Sequence, residues 1–247
     1  MSKLPEIASS SAPVRAQDRL IVALDVPTAR QARELAAQVG DAAGIYKVGL
    51  QLFTAEGPAV VRDLVSSGKR VFLDLKLHDI PNTVAHAVKL ARTLGASMLT
   101  VHSCGGPAML KAAAEAADGD FLLLAVTVLT SMDESELSQV GVGGRVQDQV
   151  LRLAELARAA GCGGVVASAR ESSLIRGLVG EGFAIVNPGV RPSGAELNDQ
   201  RRVATPAEAI RAGATHIVVG RPITQAAHPA QSAAAIVAEI EQAQNAR

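Results

Sequence analysis

Eight short aliphatic runs recur along the chain, and a segment with helical spacing follows each of them. The runs are 19–25, 44–49, 70–75, 96–101, 120–126, 164–168, 183–187 and 216–220. Their apolar residues are mostly continuous rather than alternating, which is typical of strands buried on both faces of a parallel sheet. The segments between them carry Ala/Leu stripes, and many of them end at a glycine. Eight βα units in a chain of 247 residues predict a (β/α)8 TIM barrel, of the α/β class.

The barrel is predicted to form one catalytic domain over residues 18–247. Residues 1–17 mix Ser, Pro, Ala and isolated charges, and we expect a flexible N-terminal leader there. A doubly wound open sheet is the structural alternative. It ordinarily contains fewer strands, and no GxGxxG motif follows the first run. The pattern therefore favours the closed barrel.

Composition excludes several classes of function. Lys+Arg and Asp+Glu both number 24, which gives a net charge of +0 and no basic surface for nucleic acid. Aromatic residues make up only 2%, so few side chains are available to stack on single-stranded bases. No apolar run in the leader is long enough to cross a bilayer. Cys104 and Cys162 form no CxxC pair, which indicates a reducing compartment. We expect a cytoplasmic protein that binds neither nucleic acid nor membrane.

Polar residues occur where the predicted strands end, which is where the chemistry of a (β/α)8 barrel lies. In chain order they are Asp25, Lys47, Asp74, Lys76, Asp79, His102, Thr130, Ser168, Gly220 and Arg221. The seventh run leads into a loop, 188–206, that is longer than ordinary βα connections. A lid over the barrel mouth is the interpretation that this length favours.

Asp74 and Lys76 are two residues apart, so both point to the same face of an extended strand. An ion pair that only plugs the barrel is one interpretation, but burying two ions is costly unless their pairing is excellent. Clustered titratable groups in a barrel mouth are more typical of a functional site. A metal site is the other alternative, with Asp74, His78, Asp79 and His102 as candidate ligands. Because Lys76 would hold a positive charge beside that ion, we favour metal-free chemistry and expect His78 to have a packing or hydrogen-bonding role.

The stretch DLKLHDIPNTV, from Asp74 to Val84, resembles the D-x-K-x-x-D-I-P-N-T signature of the orotidine 5′-phosphate decarboxylase family. Other segments resemble the family in the same order along the chain. They are ALD, YKVG, VHSCGG, VTVLTS, NPGVRP, NDQRRVATP and VVGRPIT. The resemblance covers residues 19–242.

This resemblance implies a cofactor-free decarboxylase that converts orotidine 5′-phosphate to UMP, the last step of pyrimidine nucleotide synthesis. Asp74 would lie against the substrate carboxylate, and Lys76 would deliver a proton to C6 as CO₂ leaves. Lys47 and Asp79 would complete an alternating charged tetrad with them. The family pattern also implies a homodimer, in which Asp79 and Thr83 reach into the active site of the partner subunit.

The same resemblance implies the substrate contacts. Asp25 would hold ribose hydroxyls, Thr130 would line the pyrimidine and phosphate region, and Ser168 would bond the pyrimidine edge. The phosphate ligands would be Gln200, Gly220 and Arg221, with Arg191 close by. The residues themselves allow simpler interpretations, because Ser168 also fits a helix N-cap and Arg221 an exposed surface charge.

Two other functions stay open at this point. One is a Mg²⁺-dependent phosphosugar decarboxylase or aldolase of the same barrel group, which shares the D-x-K-x-x-D strand. The sequence IPNT and the residues Thr130 and Ser168 favour the orotidine 5′-phosphate decarboxylase over it. The other is a catalytically silent nucleotide-binding regulator. The intact set of charged residues on the third run argues against it, since a sensor needs only phosphate and base contacts.

Overall fold

The predicted runs form one closed parallel barrel. In a computed structural model that describes residues 15–192 and 204–246, strands pair in sequence order and the eighth pairs with the first. The strands are β1 (Leu20–Ala23), β2 (Ile45–Gly49), β3 (Val71–Leu77), β4 (Met98–His102), β5 (Leu122–Val126), β6 (Gly164–Val166), β7 (Ala184–Asn187) and β8 (His216–Val219). Each strand overlaps its predicted run, so the (β/α)8 fold is confirmed.

Helices surround the barrel and connect its strands. They are α1 (Ala16–Arg19), α2 (Ala29–Val39), α3 (Leu50–Glu56), α4 (Ala59–Ser66), α5 (Pro81–Thr93), α6 (Gly106–Ala116), α7 (Glu134–Gln139), α8 (Val146–Ala159), α9 (Ser172–Val179), α10 (Pro206–Arg211), α11 (Arg221–Thr224) and α12 (Pro229–Asn245). Short 3₁₀ turns lie at Gly40–Ala42, Ser103–Gly105 and Ala169–Glu171. Local sequence explains several helix starts. Thr28 caps α2 by accepting a hydrogen bond from the Gln31 N–H, and Pro81 opens α5, where a missing N–H is harmless.

Two apolar layers hold the barrel together. The larger one lies between the sheet and the helices. The smaller one fills the barrel interior, every strand contributes to it, and its buried members are Ile21, Ala23, Ile45, Phe72, Met98, Leu124, Val126, Val166, Ala184, Val186 and Val218. Lys47, Asp74 and Thr100 each lie two positions beyond one of these residues, so they point into the same interior one level nearer the mouth. The apolar layer is therefore the floor of a polar mouth.

Strand β3 departs from regular pairing just below this mouth. Leu73 pairs with Leu99 and Leu77 pairs with Val101, so the stretch between them on β3 is longer than the stretch on β4. At the end of this stretch Lys76 has φ 50, and no other non-glycine residue in the described ranges has a positive φ. A bulge of this kind bends the strand and re-aims its side chains. A residue held in such a conformation costs on the order of 1–3 kcal/mol, which the surrounding structure has to offset.

Parts of two sequence predictions fall outside the described residues. They are residues 1–14 of the leader and residues 193–203 of the long loop after β7. The end of the predicted leader is described, and there Ala16 begins α1 and is buried in the larger apolar layer. Among the helices of residues 15–192 and 204–246, none has the length and apolar character needed to cross a bilayer.

Candidate active site

A cavity of about 520 Å³ opens at the carboxyl ends of the barrel strands. This size suits a small-molecule ligand. Its described lining residues are Ala23, Asp25, Val26, Lys47, Asp74, Lys76, Pro188, Gly189, Val190, Arg191, Val218, Gly220, Arg221, Pro222, Thr224 and Gln225. Carboxylates and ammonium groups lie on the β1–β3 side, and two guanidinium groups lie on the β7–β8 side. The cavity thus has two charged ends with different chemistry.

Charges of alternating sign run along the first end. Lys47 Nζ lies 2.9 Å from Asp25 Oδ1 and 3.7 Å from Asp74 Oδ2. Lys76 Nζ donates to both carboxylate oxygens of Asp74, at 2.9 Å and 2.8 Å. A Cβ on Gly49 would lie 2.7 Å from Lys47 Nζ, so the glycine that ends β2 leaves room for this ammonium group. The Asp74 and Lys76 side chains meet as the shared face predicted, although the strand between them is bulged rather than regularly extended.

Because most of these charged groups are buried, they interact more strongly than the partners of a surface ion pair. The Lys47 side chain is only 9% exposed and that of Asp74 13%, whereas Asp25 is 55% exposed at the rim. Burial alone would raise the pKa of Asp74. The ammonium groups of Lys47 and Lys76, with hydrogen bonds from Lys76 and Thr100, outweigh it and hold the pKa of Asp74 below its ordinary value. Asp74 is therefore ionised at neutral pH.

The second end of the cavity concentrates positive charge. Arg191 follows β7, is buried, and its backbone N–H donates to the Ala204 carbonyl at 3.0 Å. Its Nε is buried and has no hydrogen-bond partner among the described residues. Desolvation, and then the nearby charge of Arg221, lower the pKa of Arg191. Two guanidinium groups in one cavity wall attract an anion that accepts several hydrogen bonds, such as a phosphate.

Asp79 and Thr83 are absent from the described lining of this cavity. Both are exposed, and the Asp79 carboxylate accepts a hydrogen bond from the N–H of its neighbour Ile80 at 2.6 Å. The neighbouring Ile80 side chain is also exposed, to 66%. Their predicted contribution to a neighbouring subunit's site stays a prediction.

Ser168 and Thr130 are also absent from the described lining. Ser168 is buried and caps the 3₁₀ turn Ala169–Glu171, accepting a hydrogen bond from the Arg170 N–H at 3.4 Å. Thr130 is half-buried in the turn that follows β5. Gln200 lies outside the described residues. The substrate contacts predicted for these three side chains therefore stay predictions.

The alternative set of metal ligands is spread out. The rings of His78 and His102 have centroids 5.8 Å apart. The Asp74 carboxylate is instead hydrogen-bonded to Lys76 and Thr100. Within residues 15–192 and 204–246, no three His, Cys, Asp or Glu side chains gather as a metal site. Burial, followed by the charges of His78 and Lys76, lowers the pKa of His102. His102 is therefore neutral at neutral pH and adds no charge to the site.

Thr100 is a site residue that the sequence reasoning missed. It is fully buried on β4, and its hydroxyl bonds both Asp74 and the backbone of Lys76. One signal was present, because the hydroxyl interrupts the apolar run ASMLTV in the same strand phase as Met98. The bulge in β3 that gives this hydroxyl its two partners has no such signal.

The chain resembles known proteins over most of its length. Residues 18–236 match the family model described as Orotidine 5′-phosphate decarboxylase / HUMPS family. A curated orotidine 5′-phosphate decarboxylase from Moorella thermoacetica is 52% identical over 92% of this chain and 94% of its own. One from Halorhodospira halophila is 54% identical over 90% of this chain and 95% of its own. The crystal structure of orotidine 5′-phosphate decarboxylase from Lactobacillus acidophilus has a TM-score of 0.82 at 37% identity, covering 90% of this chain and 99% of that one.

The position of Asp74 between two ammonium groups predicts a large effect on stability. In Asp74→Asn, Lys76 loses its ionic partner and the buried Lys47 keeps only Asp25, so we expect the free energy of unfolding to fall by about 3 kcal/mol. Asp63→Asn is the matched control, because it breaks the exposed 2.7 Å pair with Arg33 and should cost less than about 1 kcal/mol. Urea unfolding at pH 7.5 measures both. Equal losses in the two variants would contradict this account of the site.

Proposed function

The chain belongs to the orotidine 5′-phosphate decarboxylase / HUMPS family, and from this premise we propose that it converts orotidine 5′-phosphate to UMP and CO₂ without a metal, with Lys76 as the proton donor. The family description carries two names. The choice between them is supported by the curated relatives, which bear the first name at 52% and 54% identity. The observation that carries the proposal is the Asp74–Lys76 pair, which faces two arginines across one cavity.

Bond cleavage in this proposal takes place at C6 of the pyrimidine. The bond from C6 to the carboxylate breaks, CO₂ leaves, and the electron pair stays on C6. Lys76 then transfers a proton from its ammonium group to C6, becomes a neutral amine and regains its proton from water. A fixed cation beside a developing carbanion stabilises the transition state more than the ground state. Lys47 and Lys76 already neutralise the carboxylate of Asp74, which supports a route that needs no metal ion.

Asp74 acts on the carboxylate at the other end of the breaking bond, opposite C6. The substrate carboxylate lies against the Asp74 carboxylate, and two such charges at about 4 Å repel by roughly 4 kcal/mol at an effective dielectric constant of about 20. This repulsion disappears as neutral CO₂ forms. Asp74 must be ionised for the effect, which agrees with its lowered pKa.

Substrate binding is assigned to the remaining lining residues. Asp25 and Lys47 offer an acceptor and a donor for ribose hydroxyls. The 5′-phosphate is assigned to the two-arginine end, where Arg191, Gly220 and Arg221 line the cavity. Binding energy from this remote group then contributes to catalysis at C6. Family resemblance alone supports three further contacts, namely the phosphate contact of Gln200 and the pyrimidine contacts of Thr130 and Ser168.

A homodimer is the second part of the proposal. Asp79 and Thr83 are exposed beside the apolar side chain of Ile80, so a second copy of the chain would bury this group and receive Asp79 at its own cavity. Asp79 would then extend the series of Lys47, Asp74 and Lys76 by one more charge. A cytoplasmic location also belongs to the proposal, supported by the two free cysteines.

The decarboxylation proposal is tested by mixing the purified protein with orotidine 5′-phosphate in excess EDTA. We expect the orotate absorbance to fall and UMP to form at the same rate with and without EDTA. Lys76→Ala should abolish turnover because no ammonium group remains next to C6. Lys111→Ala, which removes an exposed lysine of α6, should keep the wild-type rate. A wild-type protein that leaves the substrate unchanged, but cleaves a phosphosugar with Mg²⁺, would instead support the other enzyme class.

The shared-site dimer is tested by mixing two inactive variants, Asp79→Ala and Lys76→Ala. A mixed dimer has one site in which both Lys76 and Asp79 are intact. Random reassociation of equal amounts through a symmetric interface should therefore restore about a quarter of the wild-type activity. Each variant taken alone through the same unfolding and refolding is the control. Failure to recover activity in a sample that contains mixed dimers would contradict the sharing of Asp79.

A further inference from the structure

Thr100 lies opposite the bulge in strand β3. Leu99 and Val101 pair with Leu73 and Leu77, so Thr100 alone on β4 spans the stretch that contains Asp74 and Lys76. The longer stretch of β3 cannot continue the regular ladder with the shorter one of β4. The backbone of Lys76 consequently needs another hydrogen-bond partner, since an unpaired N–H in this setting is costly.

The Thr100 hydroxyl satisfies that need and makes a second bond. It accepts from the Lys76 backbone N–H at 2.9 Å and donates to Asp74 Oδ1 at 2.9 Å. Because a hydroxyl supplies one donor and two acceptor positions, a single oxygen serves both partners. Thr100 is fully buried, so packing fixes the position of this oxygen. The Thr100 side chain therefore links the backbone of Lys76 to the carboxylate of Asp74.

We propose that Thr100 is a positioning residue for the reaction, holding the Lys76 backbone in its left-handed conformation and the Asp74 carboxylate in a fixed orientation, so that Lys76 faces C6 and Asp74 faces the substrate carboxylate. The inference rests on the proposed function. Thr100 lies below the charged groups and is absent from the described cavity lining, so it acts through them. Loss of its hydroxyl frees both groups together, although neither charge is removed.

The chain offers a matched control for this role. Thr127 is also a buried threonine at the end of a neighbouring strand, and its hydroxyl donates to the Val166 carbonyl at 3.0 Å. Thr127→Val therefore removes one buried hydroxyl and keeps the side-chain volume. It leaves the bonds between Thr100, Asp74 and Lys76 in place. A purely structural role for a buried threonine hydroxyl predicts similar effects from the two substitutions.

Kinetics of Thr100→Val with orotidine 5′-phosphate provide the test. We expect kcat to fall roughly 10²-fold because a displaced catalytic group loses its alignment. KM and the dissociation constant of UMP should change by less than about 3-fold, since ribose and phosphate contacts are not altered. Thr100→Ser keeps the hydroxyl and should recover most of kcat, and Thr127→Val should stay close to the wild type.

The acid limb of kcat/KM should move to higher pH in Thr100→Val, because Asp74 has lost a hydrogen-bond donor.

Several results would overturn the inference. They are an undiminished kcat in Thr100→Val, an equal loss in Thr127→Val, and a loss in Thr100→Ser as large as that in Thr100→Val. If Thr100→Val fails to fold, Thr100→Ala replaces it in the same kinetic comparison, because alanine removes the hydroxyl without placing a methyl group against the carboxylate. A wild-type protein that does not turn over orotidine 5′-phosphate overturns the proposed function, and this inference with it. An active wild type beside an equally active Thr100→Val overturns this inference alone.

Discussion

The placement of Asp74 between two ammonium groups is the interaction on which the site depends. A carboxylate that is only 13% exposed is unstable in a barrel interior unless cations compensate for its lost hydration. Lys47 provides one cation from β2, and Lys76 provides the other from the same strand as Asp74. The apolar floor beneath them keeps these charges at the mouth. Fold and chemistry are therefore linked, because the strands that close the barrel also hold every member of this series.

The sequence predicts the barrel well because its signals are local and repeated. Continuous apolar strands, helical stripes and terminal glycines recur in each unit, and all eight strands overlap their predicted runs. The positions of Asp25, Lys47, Asp74 and Lys76 in one cavity follow from a single rule, that barrel strands end at the same mouth. Arg191 and Arg221 line the same cavity for the same reason, since they follow β7 and β8.

Other features depend on interactions that a linear pattern does not contain. The bulge in β3 and the positive φ of Lys76 arise from pairing with β4, so no local motif indicates them. Thr100 gains its importance only from this bulge. Asp79 and Thr83 carry family resemblance in their sequence, yet they are exposed on a single chain. Their proposed contribution to catalysis requires a second copy of the chain.

The mechanism depends on Lys76, which places a proton directly on C6 after the bond to CO₂ breaks. Proton NMR of the product formed in D₂O tests this most directly, with the wild type and Lys76→Ala compared at equal concentrations. The account predicts that the wild type forms UMP with deuterium at C6 and none at C5, and that Lys76→Ala leaves orotidine 5′-phosphate intact. Deuterium at C5, or deuterated UMP formed by Lys76→Ala at the wild-type rate, would contradict it.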